Sequence, residues 1–298
     1  MSLVSVVVPS YRHERYVHNC LDSVFDQSYS DIELILLDDC SPDSTYEIAS
    51  DLCASTKYRE RFHKIICQRN ERNLGAHATL NKGIALASGE YVSLLNSDDQ
   101  YHPNRLTTLQ GALEHCESRL AFTNYVFMDD DSNPVNGHPL YLELQARLAA
   151  ASQDYPALSF AFLQKQIALS TGNLFFQRGL FKMVGGFLDL KYCHDWDFIL
   201  QSTRFAEPVY VSEPLYKYRV HGTNTFSTLG KVAEAETEFV LQRFFSMCDR
   251  SAVLNHEAPC ERNWPGLFQV LIGKFGVSAI YSRALTGYLP WHRVAEIK

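Results

Sequence analysis

An alternation of apolar runs and amphipathic segments over the first hundred residues most constrains how this chain can fold. Continuous apolar runs, rich in β-branched residues, predict buried strands at residues 4–8, 32–37, 64–67 and 91–95. Between these runs, patterns typical of helices cover residues 16–27, 45–53 and 76–87. Strands that alternate with helices form a mostly parallel sheet with right-handed crossovers. The sequence therefore predicts an α/β fold with a Rossmann-like, mostly parallel sheet flanked by helices.

Two of the predicted strands end in adjacent carboxylates. Asp38 and Asp39 follow the second run, and Asp98 and Asp99 follow the fourth. The carboxyl ends of parallel strands meet at the edge where open α/β sheets bind ligands, so these side chains can converge on one ligand. Hard oxygen ligands suit Mg²⁺ or Mn²⁺, which would hold a phosphorylated substrate. On these residues alone, the alternative of simple Asp-rich turns stays open.

Composition narrows the class of protein. A formal net charge of −7 gives no support to nucleic-acid binding, which normally leaves a basic footprint. The eight cysteines include no CxxC pair, which argues against a zinc or redox motif and fits a reducing compartment. The chain opens with Met1-Ser2-Leu3 and goes straight into its first predicted strand, so we expect no signal peptide. No apolar stretch reaches the length of a membrane span. We expect a cytoplasmic protein with no nucleic-acid partner.

The rest of the chain adds elements of both kinds and then becomes purely helical. Patterns predict further strands at residues 120–128, 174–176 and 208–218, and helical segments at 105–117, 140–168 and from 192. From residue 231 onward the spacing of apolar residues is helical throughout. We therefore expect a catalytic domain over residues 1–226, with halves at about 1–100 and 101–226, and a C-terminal helical extension over residues 227–298.

Six sequence blocks, in order, resemble the family 2 inverting glycosyltransferases of the GT-A fold. The resemblance covers residues 3 to about 226. The first block is Val6-Val7-Val8-Pro9-Ser10-Tyr11, and the second runs from Leu37 to Thr45. The third has three parts: Asn73-Leu74-Gly75, Asn81-Lys82-Gly83 and the stretch from Ala87 to Tyr91. The last three blocks are Asn96-Ser97-Asp98-Asp99, His194-Asp195-Trp196-Asp197-Phe198 and Tyr218-Arg219-Val220-His221.

The resemblance implies a nucleotide-sugar donor and a divalent metal. The nucleotide-binding positions that it implies are Pro9, Tyr11, Glu14, Asp39, Asn73, Gly75, Asn81 and Asp98. Asp39 would accept hydrogen bonds from the base, and a carboxylate suits the imide N–H of uracil, which favours a UDP- or dTDP-linked sugar. Asp98, Asp99 and His221 would hold Mn²⁺ or Mg²⁺ at the diphosphate.

On the acceptor side, the resemblance implies that Asp195 is the general base for a single in-line displacement that inverts the anomeric centre. The positions that would shape the sugar and acceptor site are Gly172, Asn173, His194, Trp196 and Asp197. A helix N-cap remains an alternative for Asp195. No QxxRW motif follows Asp195, which favours the transfer of one sugar to a hydroxyl of a glycan or lipid-linked acceptor.

Two positions depart from the family pattern. Asn96 stands where the first aspartate of the DxD motif is usual, so metal binding would depend on Asp98, Asp99 and His221. Leu80 stands where the family often has arginine, which removes one cation from the neighbourhood of the pyrophosphate.

Two other functions stay open on the sequence. A nucleotidyltransferase also uses a parallel sheet and metal-binding carboxylates, but residues 10–13 contain none of the glycines expected in its phosphate loop. A non-catalytic nucleotide- or sugar-binding module is the second alternative. For residues 231–298 the alternatives are packing on the catalytic domain, a homodimer contact, or peripheral contact with the inner face of the membrane.

Overall fold

The computed structural model describes residues 2–222 and 230–287, and these form two compact units. The first unit comprises Met1–Tyr141, Ala168–Phe187 and Val209–His221. The second comprises the described residues of Leu142–Ile167, Leu188–Pro208 and Gly222–Lys298. The predicted division at residues 226 and 227 stays a prediction, since that boundary, the predicted segment at 223–225 and the end of the C-terminal helical pattern lie outside the described residues.

The first unit contains one mixed sheet. Its strands are β1 (Val4–Ser10), β2 (Ile32–Asp38), β3 (Lys64–Arg69), β4 (Tyr91–Leu94), β5 (Gln100–Tyr101), β6 (Leu120–Met128), β7 (Pro134–Val135), β8 (Phe175–Gln177) and β9 (Val209–Arg219). They are arranged in the order β3-β2-β1-β4-β8-β6-β9-β5, and β7 pairs with β6.

The helices lie between these strands and dominate the second unit. They are α1 (Val17–Phe25), α2 (Thr45–Ala54), α3 (Thr56–Arg61), α4 (Ala76–Leu86), α5 (Arg105–Glu114), α6 (Pro139–Asp154), α7 (Arg178–Val184), α8 (His194–Thr203), α9 (Gly230–Arg250), α10 (Leu267–Lys274) and α11 (Ser278–Thr286). Short 3-10 helices cover Leu158–Leu163 and Thr171–Asn173.

The predicted parallel sheet is confirmed in β1 to β4. β1 pairs in parallel with β2 and β4, and β2 pairs in parallel with β3. Four valines of β1 are fully buried, because a strand covered on both faces reads as a continuous apolar run. Beyond β4 the sheet becomes mixed, since β8 runs antiparallel to both β4 and β6.

The register of the strands places three loops at one edge of the sheet. Ser10 at the end of β1 lies opposite Asp38 at the end of β2, and Val7 lies opposite Leu94 at the end of β4. The loops that begin at residues 11, 39 and 95 therefore leave the sheet on the same side. β9 approaches the same region through its antiparallel pairing with β5, which sets Tyr216 opposite Tyr101.

In the second unit, α8 packs against α9. The predicted apolar face of α9 is present, since Phe239, Val240 and Phe244 are buried. Over residues 2–222 and 230–287, no helix combines the length and the apolar character needed to cross a membrane.

Candidate active site

Three donor atoms converge just beyond the end of β4, in the first unit. Asp98 Oδ2 lies 3.0 Å from His221 Nε2 and 3.8 Å from His13 Nε2. The three ligand atoms all lie within 4.8 Å of one another. Burial raises the pKa of Asp98, but the two imidazoles outweigh this effect and leave that pKa below its ordinary value. A carboxylate beside two imidazole nitrogens fits a divalent cation of the first transition row.

The neighbouring carboxylate, Asp99, faces protein donors instead. Its Oδ1 accepts a hydrogen bond from Arg219 N at 2.8 Å, and its Oδ2 accepts from Tyr216 Oη and from Asn96 Nδ2. Burial raises the pKa of Asp99 well above its ordinary value, and the Asp98 charge raises it further, while the three donors oppose both effects. Asp99 therefore stabilises the loop after β4, and its predicted role as a metal ligand stays a prediction.

Arg219, the last residue of β9, fixes the backbone of this loop. Its Nε donates to the carbonyl oxygen of Asp98 at 2.7 Å. Its Nη1 donates to the carbonyls of Asp129 and Asp130, and its Nη2 donates to Ser132 Oγ. The planar guanidinium can reach several acceptors at once, which a lysine cannot do. Arg219 thus ties the Asp98 backbone to the turn after β6.

At the end of β2, Asp39 joins two loops. Its Oδ1 accepts from Asn70 Nδ2 and Leu74 N at 2.9 and 2.8 Å, and its Oδ2 accepts from Gly75 N at 2.9 Å. Gly75 has a φ of +86°, a conformation that other residues rarely adopt. The carboxylate predicted to contact the base is therefore held rigidly, and Asn70, Leu74 and Gly75 form its support.

The other predicted nucleotide-binding residues divide into two groups. Pro9 lies near the end of β1, and Tyr11 is 37% exposed in the loop that follows, so both are available at the edge of the sheet. Glu14 and Asn73 serve nearby turns, since Glu14 Oε2 accepts from Ser44 N at 3.0 Å and Asn73 Oδ1 accepts from Gly75 N at 3.2 Å.

Asn81, on α4, uses its amide for the fold. Its Nδ2 donates to the carbonyl oxygen of Phe187 at 2.8 Å, and its Oδ1 accepts from Phe187 N at 2.9 Å. This pair of hydrogen bonds anchors the loop that contains Gly186. A direct contact between Asn81 and the nucleotide stays a prediction.

Gly172 and Asn173 lie beside the loop after β4. A Cβ at Gly172 would stand 2.2 Å from Tyr216 Oη and 2.8 Å from Asn96 N, so only glycine fits. Asn173 is fully buried and bonds to Thr123 through both ends of its amide. Gly172 therefore allows the close approach of the loop after β4, whereas Asn173 ties the chain just before β8 to β6.

The second unit contains Asp195, in the first turn of α8. Its Oδ2 accepts a hydrogen bond from Gln166 Nε2 at 2.8 Å, and its Oδ1 accepts from Trp196 N at 2.7 Å. Carboxylates in the first turn of a helix are stabilised by the helix dipole. Gln166 therefore orients the carboxylate that the sequence predicts to be the general base.

The other residues of this motif pack into the second unit. His194 opens α8, and Trp196 Nε1 donates to the carbonyl oxygen of Phe162 at 2.8 Å. Asp197 is fully buried and is paired with Arg243 of α9. Trp196 and Asp197 therefore position the helix, and their predicted contact with the acceptor stays a prediction.

A buried glutamate from α9 holds the chain just before α8. Glu236 Oε1 accepts from Lys191 N at 2.8 Å, and its Oε2 accepts from Tyr192 N at 2.8 Å and Cys193 N at 3.0 Å. Backbone N–H groups at the start of a helix lack partners within it. One carboxylate from α9 thus satisfies three donors that lead into the helix of Asp195.

Sequence reasoning missed several residues of these two sites. They are His13, Tyr216, Arg219, Gln166 and Glu236. The sequence contains a signal that could have identified His13: it follows a predicted central strand, and the loops after such strands lie at the ligand-binding edge of the sheet. Arg219 lies in the last of the six blocks that resemble the family, but the resemblance implies no role for it.

Comparison with known proteins decides the family. The model of the family described as "Glycosyl transferase family 2" matches residues 5–182, more than half of the chain. The chain belongs to this family. A curated relative, an uncharacterized glycosyltransferase of Rickettsia typhi, is 31% identical over 239 residues, which cover 78% of this chain and 69% of the relative. The similarity between this family 2 glycosyltransferase and that relative thus covers more than two thirds of each chain.

Solved structures show the same fold. Staphylococcus aureus TarS, residues 1–349, in complex with UDP-GlcNAc, has a TM-score of 0.59 and 20% identity, with coverage of 95% of this chain and 82% of that chain. The mannosyltransferase PcManGT from Pyrobaculum calidifontis, in complex with GDP-Man and Mn²⁺, has a TM-score of 0.56 and 17% identity, with coverage of 99% and 78%. The predicted GT-A fold and glycosyltransferase class are confirmed.

Proposed function

We propose that this glycosyltransferase moves one sugar from a UDP- or dTDP-linked donor to a hydroxyl of a glycan or lipid-linked acceptor, with inversion and with a divalent metal. The observation that carries the proposal is the convergence of Asp98 with two imidazoles after β4, at the edge where β1 and β2 also end. The nitrogen and oxygen donors fit Mn²⁺ better than Mg²⁺.

In this proposal Asp98 and His221 hold the ion, and Asp99 braces the loop after β4 that carries Asp98. Both oxygens of Asp99 accept hydrogen bonds from Arg219, Tyr216 and Asn96, which fixes the direction in which Asp98 points. When bound, the cation would offset the negative charge on the departing nucleoside diphosphate.

The position of Asp39 supports uracil or thymine as the nucleobase of the donor. Each of its oxygens already accepts a hydrogen bond from a backbone N–H of the loop at residues 74–75, so the carboxylate is held in one orientation. Oδ1 also accepts from Asn70 Nδ2, whereas the second lone pair of Oδ2 can accept a bond from the imide N–H of uracil or thymine. Cytosine has no such N–H group, and we therefore favour UDP and dTDP over CDP.

Asp195 is the proposed general base. The acceptor oxygen forms a bond to the anomeric carbon as the bond from that carbon to the diphosphate oxygen breaks, and the acceptor proton passes to Asp195. The nucleoside diphosphate leaves with the electron pair. The bond from Gln166 Nε2 to Asp195 Oδ2 supports this role, because it fixes the carboxylate without neutralising it.

Thermal shifts with nucleotides test the donor site. We expect UDP or dTDP to raise the melting temperature, with a further rise when Mn²⁺ is added, because ligands that bind the folded state stabilise it. Asp98→Asn should lose the Mn²⁺-dependent part. CDP is the matched control, because cytosine has no imide N–H, and equal shifts with UDP, dTDP and CDP would remove the base assignment.

Product formation tests the catalytic assignment. Asp195→Asn should keep the nucleotide-dependent thermal shift and lose at least a hundredfold in the turnover of a nucleotide sugar. Asp249→Asn, an exposed carboxylate on α9, is the control and should stay active. If Asp195→Asn changes no measurable property, the binding-module alternative replaces the transferase. Pyrophosphate release from a nucleoside triphosphate and a sugar phosphate would instead support the nucleotidyltransferase alternative.

For the acceptor, we propose a site at the cytoplasmic face of a membrane, reached through α10. Leu267 and Val270 on this helix are 41% and 67% exposed. Exposed apolar side chains on one short helix are typical of an interfacial contact. Val270→Asp should reduce flotation of the full chain with anionic liposomes. Equal flotation of both proteins, or none by either, would overturn the membrane contact and leave packing on the catalytic domain or a homodimer contact.

A further inference from the structure

We infer that His13 is a third protein ligand of the metal, so that the site contains two imidazoles and one carboxylate. His13 lies on the loop between β1 and α1, outside every motif that the family resemblance assigns to metal binding. The inference deepens the proposed transferase and rests on it for the task of the ion, but the binding site itself can be tested without any sugar transfer.

The distances allow one ion to contact all three donors. His13 Nε2 lies 3.8 Å from Asp98 Oδ2, which lies 3.0 Å from His221 Nε2. Donors bonded to one first-row ion at about 2.1 Å are separated by roughly 3 to 4 Å. Donor atoms within 4.8 Å of one another need only small side-chain adjustments to reach that arrangement. The His13 side chain is 22% exposed, so an ion can reach it.

The surroundings of His13 direct its Nε2 towards Asp98. His13 Nδ1 lies 2.7 Å from Ser97 Oγ, which can accept a hydrogen bond from Nδ1–H; in this tautomer Nε2 carries a lone pair. The backbone is also fixed, since His13 N donates to Thr45 Oγ1 at 2.8 Å and Arg12 N donates to Ser41 Oγ at 3.0 Å. A metal-binding histidine usually has such a partner on its other nitrogen.

The ligand set changes the preferred metal. The sequence predicts two carboxylates and one histidine, but Asp99 is engaged by Arg219, Tyr216 and Asn96. Replacing one carboxylate by imidazole disfavours Mg²⁺, which prefers oxygen ligands, and favours Mn²⁺, Fe²⁺, Co²⁺ or Zn²⁺. We therefore expect the full chain to bind Co²⁺ and Mn²⁺ much more tightly than Mg²⁺.

Calorimetric titration of the chelator-treated full chain with Co²⁺ tests the inference, together with the visible absorption of the bound ion. His13→Ala should weaken Co²⁺ binding about tenfold or more and change the absorption spectrum, as expected for the loss of a nitrogen ligand. His13→Gln, which retains a polar side chain, should show the same loss and guards against misfolding of the alanine variant. His18→Ala is the matched control, because His18 is an exposed histidine on α1.

The outcomes separate this inference from the proposed function. Co²⁺ binding that is unchanged in His13→Ala and His13→Gln, or absent from the wild type, overturns the inference. Loss of binding in His221→Ala but in neither His13 variant also overturns it. If the His13 variants lose Co²⁺ and the wild type turns over no nucleotide sugar, the metal site stands and the proposed function fails.

Discussion

Arg243 Nη1 lies 2.7 Å from each carboxylate oxygen of Asp197. Asp197 is fully buried on α8, two residues after the proposed base, and Arg243 comes from α9. Burial raises the pKa of Asp197, and the Arg243 charge opposes that rise. Helix α9 therefore supplies the counter-charge for the buried Asp197 of α8.

Removing this counter-charge should destabilise the protein. Arg243→Ala leaves a buried carboxylate without its cation, and we expect a loss of about 3 kcal/mol in the free energy of unfolding. Urea denaturation followed by circular dichroism measures the change. Arg283→Ala is the control, because Arg283 pairs with Glu238 on the surface at 2.8 Å and should contribute less than about 1 kcal/mol. Equal effects of the two substitutions would contradict this account.

Glu236→Gln should impair catalysis more than donor binding. The amide has one acceptor oxygen and turns its NH₂ group towards a backbone donor, so part of the support for residues 191–193 is lost. We expect a lower kcat with an unchanged thermal shift on UDP and Mn²⁺, because Asp195 follows these residues on α8. Glu234→Gln, exposed on the same helix, should have no effect. A loss of nucleotide binding in Glu236→Gln would indicate a general folding defect instead.

Gly172→Ala tests the close packing beside the loop after β4, which carries the proposed metal ligand Asp98. The added Cβ meets Tyr216 Oη at 2.2 Å and Asn96 N at 2.8 Å, so the loop or the tyrosine must move. We expect a loss of roughly 1 to 3 kcal/mol in stability and weaker Mn²⁺ binding. Gly179→Ala is a matched control, since a Cβ at Gly179 meets no atom within 4 Å. Wild-type Mn²⁺ affinity in Gly172→Ala would show that the loop tolerates the displacement.

Glu207 should make stability depend on pH. Burial is the main cause that raises the pKa of Glu207 from 4.5 to about 7, although Ser159 and Asn255 donate hydrogen bonds to it. Between pH 4.5 and about 7, Glu207 is ionised in the unfolded chain but still protonated in the folded chain. The part of the free energy of unfolding that Glu207 contributes below pH 4.5 is therefore lost as the pH rises to about 7. The loss is on the order of 3 kcal/mol.

Urea denaturation between pH 4.5 and 8 measures this dependence. Glu207→Gln should flatten the decline, because the amide does not titrate. Glu213→Gln, an exposed position on β9, should leave the decline unchanged. The same slope in the wild type and in Glu207→Gln would assign the pH dependence to other groups.

Local patterns predicted the elements of the sheet well. β1, β2 and β4 are buried on both faces, so each appears in the sequence as an uninterrupted apolar run. The helical segment predicted at 140–168 is divided near Pro156, since α6 ends at Asp154 and only a short 3-10 helix, Leu158–Leu163, follows. The antiparallel insertion of β8 between β4 and β6 was not predicted, because pairing direction depends on contacts between distant segments.

The two carboxylates after β4 show the limit of such patterns. Asp98 and Asp99 are adjacent and identical in type, yet Asp98 faces two imidazoles and Asp99 faces three protein donors. His221 lies 123 residues from Asp98, and His13 lies 84 residues from Ser97. The periodicity of the sequence does not show which of two neighbouring side chains will contact residues so distant along the chain.

The sequence by itself determined the α/β class, the edge of the sheet where the site lies and the family of the enzyme, because these depend on local hydrophobic runs and on short motifs. The family resemblance had already placed His221 with Asp98. Only the tertiary structure showed the other groups that surround each carboxylate: His13 at Asp98, Arg219 at Asp99, and Arg243 at Asp197. Hydrogen bonds and charge pairs act over a few ångströms, and the folded chain alone brings residues so far apart in sequence within that distance.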